Sequence, residues 1–159
     1  MGTLTKTAIT VAELDEMIER GDSFLLLDVR NQDEFERWKI EGRNPFETIH
    51  IPYFAFLENE EANIARVPKE KRVVVVCAKG GSSEYVANLL RERGYDAVNL
   101  EGGMIAWGNY YRVRRIPDTG DLAIYQIIRV ARGDLAYAIV SEGEGILLSL
   151  IHISEPTRQ

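Results

Sequence analysis

The sequence predicts an α/β fold built on a mainly parallel sheet, and three observations lead there. The apolar runs Phe24-Leu25-Leu26-Leu27-Asp28-Val29 and Val73-Val74-Val75-Val76 are continuous rather than alternating, as in strands buried on both faces. Between such runs lie segments with apolar residues at helical spacing, opened by capping residues and often closed by glycine. Strands alternating with helices give βαβ units, whose near-obligatory right-handed crossovers place helices on both faces of the sheet.

The elements follow in order. Thr10-Val11-Ala12-Glu13 is a capping-box pattern, and Leu14, Met17 and Ile18 recur at helical spacing up to Gly21, which predicts a helix over residues 11–20. The run at 24–29 is the next strand, and Asn31-Gln32-Asp33-Glu34 offers a second cap for a helix carrying Phe35 and Trp38. Residues 48–51 form a weaker strand closed by Pro52. After the strand at 73–76, Ser82 or Ser83 can cap a helix with Val86, Leu89 and Leu90 on one face, ended by Gly94. Residues 97–100 make a further short strand, and Gly102-Gly103 turns the chain into a segment holding Met104, Ile105 and Trp107. Core packing is expected of both Trp38 and Trp107.

The pattern changes after Tyr111. Residues 114–121, inside a stretch that is first basic and then turn-rich, read as a linker, and 122–147 show short runs separated by Gly133 and Ser141-Glu142-Gly143-Glu144. These predict antiparallel strands opening a second, incomplete unit. Residues 148–159 resemble a translated sequencing adapter and are expected to be a non-native tail.

Composition narrows the function. At 159 residues the chain allows one ordinary domain plus a fragment, and 45% hydrophobic with 28% charged residues is the balance of a soluble globular protein. A net charge of -6 argues against nucleic acid or an acidic membrane surface as partner. No apolar run is long enough to span a bilayer and no signal-peptide pattern opens the chain, so a cytoplasmic location is expected. The single cysteine, Cys77, rules out an intrachain disulfide and a Cys-x-x-Cys site. Two histidines, His50 and His152, are too few for most zinc or iron centres, so neither metal nor cofactor is expected.

Cys77 stands where the valine strand stops and Lys79-Gly80-Gly81-Ser82-Ser83 leads into a helix, the place where open α/β sheets form their ligand crevice. Gly80 and Gly81 can take positive φ, letting successive N–H groups point inward as an anion-binding ring, and the helix adds the positive end of its dipole. A free thiol with pKa about 8.5 is mostly protonated at neutral pH, whereas helix N-termini and nearby cations such as Lys79 bring it to about 7 or below. A structural thiol is the bland reading of a lone cysteine. Its strand-end position, the two glycines and Lys79 favour a nucleophile.

Three motifs together, Leu27-Asp28-Val29-Arg30 with Asp33-Glu34-Phe35, then Val76-Cys77-Ala78-Lys79-Gly80-Gly81-Ser82-Ser83, then Leu100-Glu101-Gly102-Gly103-Met104-Ile105-Ala106-Trp107, resemble the rhodanese (thiosulfate sulfurtransferase) family in order and spacing. The resemblance implies a rhodanese domain over residues 7–113 with a five-stranded parallel sheet and helices on both faces. It further implies a sulfurtransferase in which Cys77 takes a sulfane sulfur from a small-molecule donor and passes it to a thiol or cyanide. Ala78, Lys79, Gly80, Gly81, Ser82 and Ser83 are then the substrate-binding loop, with Lys79 attracting an anionic donor, and Asp28 and Arg30 support the region below it. Residues 122–147 resemble the first strands of a metallo-β-lactamase fold, a domain that follows rhodanese in some bacterial fusion proteins of sulfur metabolism, which implies such a domain in cis in the natural protein. The His-x-His-x-Asp-His metal motif of that fold is absent here.

Two other readings compete. A cysteine phosphatase or arsenate reductase of similar architecture needs an arginine six residues after the cysteine to grip a tetrahedral anion, and here that position is Ser83. A non-catalytic rhodanese-like module would be expected to have lost the cysteine. His50 could act as a general base or merely face solvent at a strand edge, and Glu101 is expected to cap a helix. The acidic run at 58–61 reads as a solvated face, and Tyr53 and Phe54 either line the crevice mouth or pack in the core.

Overall fold

Thr10 opens the first helix as its pattern requires. In the computed structural model, Glu13 N–H donates to Thr10 Oγ1 at 3.2 Å and Thr10 N–H donates to Glu13 Oε2 at 2.8 Å, closing the capping box. Such caps are worth about 1 kcal/mol. Residues 6–117 and 119–150 are described, and the chain divides into one unit ending at Trp107 and another beginning at Gly108.

In chain order the first unit holds β1 (Ala8–Ile9), α1 (Val11–Arg20), β2 (Phe24–Asp28), α2 (Gln32–Arg37), β3 (Glu47–His50), α3 (Tyr53–Glu58), α4 (Glu60–Ile64), β4 (Arg72–Val76), α5 (Gly81–Glu92), β5 (Ala97–Leu100) and α6 (Gly103–Gly108). The five strands form one parallel sheet in the order β1-β5-β4-β2-β3, so β4 and its neighbours occupy the middle. Every residue of β2 and β5 is buried, which explains why their sequences are continuous rather than alternating. On one face Leu25, Leu27, Val73 and Val75 pack with Phe56 of α3, Ile64 of α4 and Val86, Ala87 and Leu90 of α5.

The sheet register positions the site. Asp28 pairs with Val76, and the Val29 N–H donates to the Val76 carbonyl at 2.9 Å, so the carboxyl ends of β2 and β4 finish side by side. Trp107 on α6 is 1% exposed, as expected of a core residue, but Trp38 is 36% exposed. The α2 helix buries none of its residues, so the tryptophan at its end has no core to enter. Ser82 and Ser83 do not cap α5. Gly80 does, at φ 107°, and the helix starts two or three residues sooner because a glycine can take that left-handed turn directly after the strand, which places both serines inside the first turn.

The second unit is a four-stranded antiparallel sheet in the order β6 (Tyr111–Ile116), β7 (Ala123–Arg129), β8 (Asp134–Ser141), β9 (Glu144–Leu150). The expected hairpins are present, but part of the expected linker is strand β6. Its three arginines suggested a tether, whereas in an edge strand charged side chains are common and Val113 and Ile116 still pair with Ile127 and Ile124. Residues 148–150, assigned to the tail, close strand β9, and the remainder, 151–159, lies outside the described residues. No residue described in this sheet is fully buried, and Ile146 and Leu147 are each 65% exposed. Among the described residues no helix is long and apolar enough to cross a membrane.

Candidate active site

Strand β4 delivers Cys77 to a loop whose carbonyls are held elsewhere. The carbonyl oxygens of Cys77 and Ala78 accept from the N–H groups of Met104 (2.9 Å) and Ile105 (3.1 Å) in α6. Amides of the loop are thereby free to turn toward sulfur. The Gly80 N–H donates to Cys77 Sγ at 3.0 Å, and Ser83 Oγ lies 3.1 Å from the same atom.

Burial of Cys77, which is 7% exposed, is the largest single influence on its thiol and raises the pKa. The Ser83 hydroxyl and the backbone N–H groups of Ser83, Gly80 and Lys79 together outweigh burial and leave the thiol below its ordinary value. Gly80 takes the expected positive φ and brings its N–H to the sulfur, whereas Gly81 does not take it and instead opens α5. The Lys79 side chain is exposed on the rim.

Gly103 makes this arrangement possible. It has φ 54°, and a Cβ on it would stand 2.2 Å from the Cys77 carbonyl oxygen and 2.9 Å from the Ala78 carbonyl carbon. A side chain at 103 would push α6 off the loop and release both carbonyls.

A cleft of about 380 Å³ opens over Cys77, walled by Val29, Asn31 and Glu34 on one side and by Tyr53 and Phe54 on another, with Ala78, Lys79, Gly81 and Ser82 from the loop. Tyr53 packs edge-on against Phe54 and Tyr85, with both centroid distances 5.7 Å. Tyr53 and Phe54 thus belong to the crevice mouth.

Asp28 and Arg30 form a buried fork beside this cleft, at 1% and 4% side-chain exposure. Arg30 Nη2 donates to Asp28 Oδ2 at 2.6 Å and Nε donates to Oδ1 at 3.0 Å. Two of the three remaining guanidinium hydrogens, one on Nη1 and one on Nη2, reach the carbonyls of Glu34 (3.2 Å) and Trp38 (2.7 Å), tying α2 to the end of β2. Arg30 also lines the cleft. His50 is not among the residues lining the cleft; its Nε2 is 2.8 Å from the Arg30 carbonyl and its ring stacks on Phe35 at 4.4 Å.

All the loop residues singled out in the sequence therefore converge on Cys77 or its cleft. Two contributors were missed. Gly103 was visible as half of a turn signal, with nothing local to show that it faces the loop. Asn99 accepts from Ser83 Oγ at 2.7 Å, and the available signal was a lone polar residue within the buried run Ala97-Val98-Asn99-Leu100. Among the described residues no cluster of three or more metal-ligating side chains forms.

A single cysteine at the carboxyl end of a central parallel strand, with the Gly80 N–H against its sulfur at the start of a helix, defines the class of α/β domains that set a thiol in the crevice beyond the strand ends. Comparison with known proteins narrows that class: residues 10–110 match the rhodanese-like domain family, and the chain belongs to it. It is 36% identical over 99 residues to the putative sulfurtransferase YtwF of Bacillus subtilis, covering 62% of this chain and 87% of that protein. It is 31% identical over 108 residues to the thiosulfate sulfurtransferase GlpE of Pseudoalteromonas translucida, covering 65% and 90%. Against a longer relative, the tRNA sulfurtransferase of Aeromonas hydrophila, it spans only 19% of that protein's length at 33% identity over 60% of this chain. Among solved structures, a rhodanese-like domain protein from Staphylococcus aureus superposes with a TM-score of 0.53 at 31% identity, over 64% of this chain and 91% of that one.

Proposed function

We propose that the first unit is a sulfurtransferase that carries a sulfane sulfur on Cys77. Family membership and relatives named as sulfurtransferases support the activity in general terms. The observation that carries the reading is a buried thiol at the end of the central strand with the Gly80 N–H and the Ser83 hydroxyl oxygen 3.0 and 3.1 Å from its sulfur.

The reaction is a double displacement. The Cys77 thiolate attacks the outer sulfur of thiosulfate, or of a small persulfide, forming one S–S bond as the donor's own bond breaks and sulfite or a thiol leaves with the electron pair. The terminal sulfur of the new persulfide carries the negative charge into the cradle built from Ala78, Lys79, Gly80, Gly81, Ser82 and Ser83, which stabilises it electrostatically. A thiolate or cyanide acceptor attacks that terminal sulfur, and Cys77 leaves again as thiolate. Lys79 on the rim draws the anionic donor in, and the Asp28–Arg30 brace keeps the adjoining wall in place. Ser83, where an anion-gripping arginine would be, speaks against phosphate chemistry.

Cyanide-stimulated formation of thiocyanate from thiosulfate tests the reading. Turnover that disappears in Cys77→Ser supports it; no turnover with either thiosulfate or a persulfide donor favours a binding module instead.

The second unit is proposed to be the opening of a metallo-β-lactamase-fold domain, a cis partner in sulfide or persulfide metabolism. The support is its run of antiparallel hairpins, together with a sheet that buries none of its described residues fully and so requires a further layer.

A further inference from the structure

The Ser83 hydroxyl has one hydrogen and three acceptors within reach: Asn99 Oδ1 at 2.7 Å, Cys77 Sγ at 3.1 Å and the Gly80 carbonyl at 3.1 Å. A hydroxyl donates only once. With Oδ1 turned toward it, the hydroxyl points at Asn99, and a protonated sulfur can itself donate to Ser83 Oγ. An anionic sulfur needs the opposite direction. A half-turn of the amide exchanges Oδ1 for Nδ2, which then donates to Ser83 Oγ and leaves the hydroxyl hydrogen for sulfur.

The surroundings of Asn99 fit this function. It is 8% exposed in a strand whose four residues are all buried, where a polar side chain is costly unless hydrogen-bonded. It pairs in register with Val75, two residues before Cys77 and therefore on the same face of the sheet. A Cβ on Gly80 would lie 3.9 Å from its Nδ2, so the amide packs directly against the turn of the loop.

We propose that Asn99 is a positioning residue for the sulfur: by presenting Nδ2–H to Ser83 it directs the Ser83 hydroxyl onto Cys77, and so favours the anionic sulfur over the thiol. This rests on reading Cys77 as an anionic sulfur carrier. The charged and titratable groups that line the cleft over the thiol are Lys79 from the loop, Glu34 from α2, Arg30 beyond β2 and Tyr53 from α3, and none is altered in the variants below.

The test uses the resting thiol with no sulfur donor, so its outcome is independent of whether transfer occurs. The rate of Cys77 alkylation by iodoacetamide is followed against pH in the wild type, Asn99→Ala, Ser83→Ala and the double variant. A charge-assisted hydrogen bond of ordinary strength corresponds to a rise of about one unit in the midpoint, or roughly a tenfold slower reaction below it. The expected result is a rise of that size in each single variant and no further rise in the double one, because both act through one hydrogen bond. An unchanged midpoint in Asn99→Ala, or shifts that add in the double variant, would overturn the proposal. Should Asn99→Ala fail to fold, Asn99→Asp keeps the shape: as an acceptor it holds the hydroxyl away from sulfur, and the resulting rise must shrink when Ser83→Ala is added. An equal rise in both backgrounds is simple charge repulsion and contradicts the relay.

Discussion

Ser83 Oγ sits 3.1 Å from Cys77 Sγ across six residues of chain, so the first turn of α5 sets a hydroxyl against the sulfur where a phosphate-handling loop would place a guanidinium. A single hydroxyl suits one charged sulfur. It does not suit a tetrahedral dianion, which needs a bidentate clamp.

Removing the sulfur atom is the simplest prediction. Cys77→Ser should abolish transfer while leaving the fold intact, because serine fits the volume but its alkoxide is inaccessible near neutral pH. Thiocyanate assay and circular dichroism read the two parts separately.

The pH dependence of folding follows from the lowered thiol pKa. A group whose folded pKa is depressed contributes stability that is fully present above its unfolded value, about 8.5, and is lost as pH falls through the folded value. The stability of the wild type relative to Cys77→Ser should therefore increase with pH across that window, as thermal melts at a series of pH values would show. A difference that stays flat means the thiol is unperturbed.

The brace can be tested by its charge. Arg30→Met leaves the Asp28 carboxylate buried and unpaired, at a cost of about 3–5 kcal/mol in urea unfolding. Arg30→Lys should lie between that variant and the wild type, since an ammonium restores charge but cannot reach Asp28, Glu34 and Trp38 together.

Two glycines separate space from sequence. Gly103→Ala places a Cβ 2.2 Å from the Cys77 carbonyl at positive φ and should destabilise the protein by roughly 1–3 kcal/mol and lower kcat. At Gly81 a Cβ meets nothing within 4 Å, so Gly81→Ala should be nearly neutral in the same measurements.

Lys79 stands on the cleft rim with an exposed side chain. Lys79→Ala should raise the KM for thiosulfate more than it lowers kcat, since the charge recruits the donor and the backbone N–H remains. Unchanged kinetics would mean that the side chain points away from the donor.

Much of this was legible in the chain because local rules agreed with the fold. Thr10 and Glu13 marked the first helix, the valines at 73–76 marked a strand buried on both faces, and Gly80 after Cys77 marked a turn able to bring an amide inward. The failures share a cause. Trp38, strand β6, Gly103 and Asn99 depend on what lies opposite them in space: an α2 helix that buries nothing, a neighbouring strand, a loop carbonyl and a serine hydroxyl. Spacing along the chain carries no trace of those neighbours.

The central claim is that Cys77 carries the sulfur, and intact mass tests it most directly. The protein and its Cys77→Ser variant are weighed before and after brief exposure to thiosulfate and, separately, to a small persulfide donor. A gain of about 32 Da, one sulfur atom, on the wild type alone is the predicted result. No gain from either donor, with the thiol still open to alkylation, would contradict the account.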